Sequence, residues 1–127
     1  MQVQPDPPTT HGRVLAAPTL RFDVLEEVER LRRTTPRGHG HGAITLARYP
    51  DLRIVLMALW SGARIHEHAT AGRVSIQCID GRVRMHVSGS ELELAPGQLI
   101  TIDRDVPHDI LAVNDSSVLL TVAWPER

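Results

Sequence analysis

Aromatic residues are scarce in this chain: Phe22, Tyr49, Trp60 and Trp124 are all it has. A flat ring system such as a flavin or a nucleobase finds little to stack on, so a small aliphatic or carboxylated ligand suits the composition better. Cysteine is scarcer still. Cys78 stands alone, which excludes a disulfide within the chain and agrees with a reducing compartment. Its alternation with Val74 and Ile76 marks it as a small core residue rather than a nucleophile. No stretch of about 18 apolar residues is present to span a membrane. The N-terminus has neither the positive start nor the apolar block of a signal peptide, so the expected location is cytoplasmic. Neither sign of charge prevails: 14 Lys and Arg against 15 Asp and Glu leave a net charge of −1. With both signs interspersed, neither nucleic acid nor a membrane surface is expected as a partner.

What is present is enough for one core, since 127 residues can bury it without disulfides or metal. Residues 1–18, with Pro5, Pro7, Pro8 and Pro18, read as a flexible tail in which His11 has no motif around it. Residues 19–42 read as a helix and a linker. Asp23 and Glu26 are spaced as a capping box, and Val24, Val28 and Leu31 recur at helical spacing. Glu26 and Glu27 lie early and Arg30, Arg32 and Arg33 late, complementing the helix dipole, and Pro36 ends the run. The narrow apolar stripe places this helix on the outside of the main fold or on a partner subunit. The glycine-rich segment around His39 and His41 reads first as a mobile linker. Were it to fold over a binding site, His41 would be the residue to supply a ligand.

Residues 43–127 read as strands. Ala43 to Arg48 is one, and Arg53 to Trp60 is a second, apolar on both faces, whose outer face must meet something else. A second copy of the chain is the expected cover, which makes a homodimer the expected assembly. From Gly72 onward turn signals recur about every 8 to 12 residues, the spacing of a sandwich or barrel rather than of βαβ units. Val74 to Ile79 and Arg82 to Val87 flank Asp80-Gly81, read as a hairpin turn. In the second of these, Val83, Met85 and Val87 form the inward set, so His86 faces outward and is left out of the site. Glu91 to Leu94, Leu99 to Ile102, Asp109 to Val113 and Val118 to Trp124 complete the set. Trp60 and Trp124 each end an apolar strand, as interface anchors or as fillers of the barrel's ends.

Two stretches carry the chemistry. The first runs from Gly62 through His66-Glu67-His68 to Gly81, and the second from Gly97 through Asp103, Asp105 and Pro107 to His108. They resemble the paired motifs of the cupin family, small antiparallel jelly-roll barrels in which the two motifs face each other across the barrel mouth. The resemblance implies an all-β, double-stranded jelly-roll fold with one short N-terminal helix. Counted from Gly62 and Gly97, the family's ligand positions fall on His68, Thr70, Val74 and His108, so two of four keep a metal-binding side chain. Asp103 and Asp105 stand where the family has proline and glycine, either as turn residues tolerant of unusual backbone angles or as charges beside His108. Pro107 stiffens the backbone that aims His108.

A second register reads His66-Glu67-His68 as the His-x-His pair. On a regular strand residues i and i+2 share a face, roughly 6.6 Å apart along it, so His66, His68 and His108 could hold one divalent ion. Three histidines suit zinc, nickel, iron, copper or manganese without discriminating among them, and the absent carboxylate argues against a two-His-one-carboxylate iron site. The same imidazoles could instead serve as hydrogen-bonding or acid-base groups without metal. The closing run around Asp105 to Ile110, the strand Leu119 to Trp124 and the pattern from Phe22 resemble a subgroup of short bacterial single-domain cupins. Three functions stay open: a barrel that binds a small polar ligand with or without metal, with no catalytic residue assignable; a metal-free binding or sensing module; and a dimerisation domain whose metal site has decayed.

Overall fold

A computed structural model describes residues 12–124. The helix α1, Val24–Thr34, starts where the capping pattern expects it: the Asp23 side chain accepts a hydrogen bond from the Glu26 backbone N–H. Its stripe buries Val28 and Leu31 against Ile44, Leu46, Leu56 and Ala58, each side chain worth about 1.5–3 kcal/mol of transfer free energy. Nine strands follow: β1 (His41–Tyr49), β2 (Leu52–Leu59), β3 (Arg64–His68), β4 (Arg73–Asp80), β5 (Val83–Val87), β6 (Ser90–Leu94), β7 (Leu99–Ile102), β8 (His108–Ala112) and β9 (Ser116–Ala123). They form an antiparallel five-stranded sheet, β1-β2-β9-β4-β7, and an antiparallel four-stranded sheet, β3-β8-β5-β6. The main core, with Leu59, Val74, Ile76, Cys78, Val83, Met85, Ile110 and Val118, takes the inward residues of both sheets. Its members alternate along each strand, as a two-layer sandwich requires.

Four expectations change. The outer face of β2 is covered by α1, with Leu56 and Ala58 beneath it, so the apolar second face that pointed to a dimer is satisfied within one chain. The segment before β1 is built into the fold. Residues Arg37–His39 form a 3-10 turn, the Trp60 indole N–H donates to the Thr35 carbonyl at 3.1 Å, and the Arg37 guanidinium lies 4.0 Å over the Trp60 ring. Gly42 passes so close to Thr35 that a Cβ would sit 2.3 Å from the Thr35 Oγ1. The last part of the expected tail is also held: the Arg48 N–H donates to the Leu15 carbonyl, Arg13 pairs with Glu27, and the Tyr49 hydroxyl donates to the Ala17 carbonyl. The rest of that tail, with His11, lies outside the described residues.

The fourth change concerns Asp80-Gly81. Gly81 has the expected positive φ of 77°, yet the turn is no hairpin, because β4 pairs with β7 and β9 while β5 pairs with β6 and β8. It carries the chain from one sheet to the other, packed so closely on Asp115 and Ser116 that a Cβ on Gly81 would lie 2.3 Å from the Asp115 carbonyl oxygen. Beside it the buried Ser116 hydroxyl accepts from the Arg82 N–H. Asp80 takes both terminal nitrogens of Arg32 at 2.7 Å and the Ser117 hydroxyl at 2.6 Å, tying α1 to the same corner. Burial alone would raise the Asp80 carboxyl, but Arg32 and Ser117 outweigh it and hold it below the usual carboxylate range.

Candidate functional site

Two rows of side chains close one end of the sandwich. In the four-stranded sheet His68, His108 and Val87 are cross-strand partners. In the five-stranded sheet Val122 pairs with Val74, and Val74 with Ile102. Short loops join the rows, residues 69–72 between β3 and β4 and residues 103–107 between β7 and β8. The Asp105 N–H donates to the Thr70 carbonyl at 2.9 Å and binds the two loops together. Asp105 has a φ of 62°, a left-handed conformation that aspartate accepts more readily than most residues. It therefore acts as the turn residue where the family pattern has glycine.

The loops bring His68 and His108 together, with ring centroids 4.5 Å apart and planes inclined by 58°. His108 is buried, 2% exposed, while His68 is exposed. The Nδ1 of His108 lies 3.0 Å from the Val106 carbonyl oxygen, and that of His68 lies 3.1 Å from the His66 carbonyl oxygen. A carbonyl only accepts, so each ring carries its proton on Nδ1 and leaves Nε2 as the functional nitrogen. Both rings are thus oriented by the backbone carbonyl two residues before them, and Pro107 stiffens the backbone that leads into His108.

His66 is not brought to this pair by strand alternation. Ile65 pairs with Ile110 and His68 with His108, so two residues of β3, His66 and Glu67, stand opposite Asp109 alone. This β-bulge inserts one residue and breaks the i, i+2 rule on which a shared face depended. His66 is exposed, and its carbonyl is what it contributes to His68. Thr70 closes the loop, its hydroxyl accepting from the Gly72 N–H at 3.3 Å, and Val74 is 3% exposed within the core. His41 opens β1 opposite Leu59, which pairs with Ser116, at the end of the five-stranded sheet away from the row of Val122, Val74 and Ile102. Among the described residues no three His, Cys, Asp or Glu side chains converge on a point where they could hold one metal ion. Two imidazoles do not complete the donor set of a zinc, nickel or iron centre.

Two features were missed in the sequence. His86 faces outward as expected, but its Nδ1 lies 3.1 Å from Asp109 and its Nε2 3.3 Å from Glu91. Burial alone would raise the Asp109 carboxyl; the His86 backbone N–H and ring and, beyond them, Arg64 outweigh it and hold it low. The second is Arg53, which belongs to the row at the histidine end: it pairs with Val122. Arg53 shares its alternation with Val55, Met57 and Leu59, but with both faces of β2 apolar only the pairing with Val122 shows which face is interior. Cys78 is buried, as expected of a core residue, and burial pushes its thiol up, away from a reactive thiolate.

Residues 55–124 match the cupin domain family. The chain belongs to the cupin family. No curated protein matches it. Among solved structures this cupin is similar to a conserved protein of unknown function from Streptococcus pyogenes, with 24% identity and a TM-score of 0.72, over 89% of this chain and 93% of that one. A cupin superfamily protein from Desulfitobacterium hafniense has 16% identity and a TM-score of 0.72, over 90% and 100%. Salicylate 1,2-dioxygenase from Pseudoaminobacter salicylatoxidans has 20% identity and a TM-score of 0.63, over 79% of this cupin but 32% of the enzyme. At these identities the likeness establishes a shared fold. No described helix is long and apolar enough to cross a membrane.

Proposed function

We propose that this cupin binds a small polar ligand at the His68/His108 end of its sandwich, the ligand's polar group meeting the two Nε2 atoms. The reading is carried by one observation: both rings are held through Nδ1 by backbone carbonyls, and Nε2 of neither has a hydrogen-bond partner among the described residues. A neutral imidazole in this tautomer accepts a hydroxyl or amide proton at Nε2, and its protonated form donates to a carbonyl or carboxylate. The pair can therefore hold a hydroxy or oxo group and pass a proton to or from it. All groups named come from one chain, so the reading does not depend on a homodimer.

The test is a melting-temperature screen of small hydroxy and oxo compounds on the wild type and His68→Ala. A compound that binds the native state raises the melting temperature by mass action. The expected result is stabilisation of the wild type that is lost in His68→Ala; stabilisation of equal size in both would refute the reading. The metal form of the reading is tested by elemental analysis of untagged protein. We expect less than one equivalent of any transition metal. A full equivalent retained by the wild type and lost in His68→Ala, His108→Ala and His66→Ala would replace the metal-free reading.

A further inference from the structure

We infer that the ligand of this end carries an oxyanion group, a carboxylate or a phosphate, and that Arg53 is the residue that takes it. This inference rests on the proposed binding of a ligand at the histidine pair and adds the ligand's charge. Arg53 stands in β2 in the row Arg53, Val122, Val74, Ile102, and the last three are interior residues with exposures of 8%, 3% and 3%. Cross-strand partners share a face, so Arg53 enters the interior side of the sheet and not the side covered by α1. The chain runs along β2 away from Arg53, turns, and returns along β3 to His68. Arg53 and His68 thus meet the same end of the sandwich from opposite sheets.

At that place the guanidinium has unspent donors. Its carbon lies 5.5 Å from the centre of the Trp124 ring, and Trp124 packs against the main core. Its Nε is out of contact with solvent and has no hydrogen-bond partner. Arg53 forms no ion pair with any described carboxylate, unlike Arg32 with Asp80 or Arg84 with Glu93. The ring face attracts the cation but accepts none of its five N–H bonds in the way an oxygen does. A buried donor left unmade costs free energy, and a carboxylate or phosphate oxygen pair matches the guanidinium fork. The arginine then holds the acid group while the imidazoles meet the neutral polar group.

Trp124 supplies a local reporter. In a Trp60→Phe background, iodide should quench Trp124 about twofold to fivefold more strongly in the Arg53 protein than in Arg53→Met, while neutral acrylamide quenches both alike. Succinate or inorganic phosphate should protect against iodide, with succinamide inert; whichever of the two protects better identifies the acid group. Arg53→Met should weaken that protection about tenfold to a hundredfold, and Arg53→Lys should retain part of it. Equal iodide quenching in Arg53 and Arg53→Met, or protection by succinamide equal to that by succinate, would overturn the inference. His68→Ala separates the two readings. Anion protection that survives it supports Arg53 and removes the imidazoles from the site. A neutral hydroxy compound that depends on His68 but not on Arg53 keeps the binding site and overturns the anion.

Discussion

At the scale of single residues, the two site histidines differ in what they do for the fold. His108 is buried opposite Val87, and its Nδ1 is bonded to the Val106 carbonyl, so His108→Ala leaves a cavity and an unpaired carbonyl. It should cost about 2–3 kcal/mol in chemical denaturation. His68 is exposed, and His68→Ala should change stability by no more than about 0.5 kcal/mol while removing ligand binding. The tautomers can be read directly: long-range nitrogen-proton correlation spectra should place the proton of both neutral rings on Nδ1. A proton on Nε2 in either ring would contradict the site described above. Gly81 has a positive φ and no room for a methyl group. Gly81→Ala should therefore lower stability by at least about 2 kcal/mol.

At the scale of elements, the corner where α1 meets the sheet crossing depends on Asp80, and the outer face of the four-stranded sheet depends on Asp109. Both carboxyls sit below their usual range in the folded chain. A group with a depressed folded pKa contributes its stability above the unfolded value, and that contribution is lost as pH falls through the folded one. Stability should accordingly fall with pH below about 4, with a shallower fall in Asp80→Asn and Asp109→Asn. Each substitution should also cost about 1 kcal/mol near neutral pH, since the amide keeps part of the hydrogen bonding. An acid limb of unchanged slope in both variants would show that neither carboxyl governs it.

At the scale of the whole molecule, α1 acts as the second cover of the five-stranded sheet. Removing residues 1–34 would uncover Ile44, Leu46, Leu56 and Ala58. A patch of that kind on a soluble domain drives association. Sedimentation velocity should show the truncated chain self-associating at concentrations where the full chain does so less. Equal association of both would mean that the covered face plays no part.

Much of this molecule was legible in its residues because the signals are local. The helix cap at Asp23, the alternation of Val74, Ile76 and Cys78, and the glycine-to-histidine spacings each depend on neighbours within a few positions, where backbone geometry alone dictates the pattern. These sufficed for the barrel, the helix and the meeting of His68 with His108. What the chain does at a distance was decided only in three dimensions. One inserted residue in β3 sets His66 and Glu67 against Asp109, and no pattern in His66-Glu67-His68 announces a bulge, because it arises from pairing with β8. Asp80-Gly81 looks like a hairpin from within, yet its strands find partners in different sheets. The second face of β2 could be covered by a second copy or by the chain's own helix, and only packing chose α1. Arg53 reads as a polar start to an apolar strand until Val122, 69 positions later, shows which side of the sheet it enters. Spacing along the chain determines which residues can face a site, and pairing between strands determines which of them do.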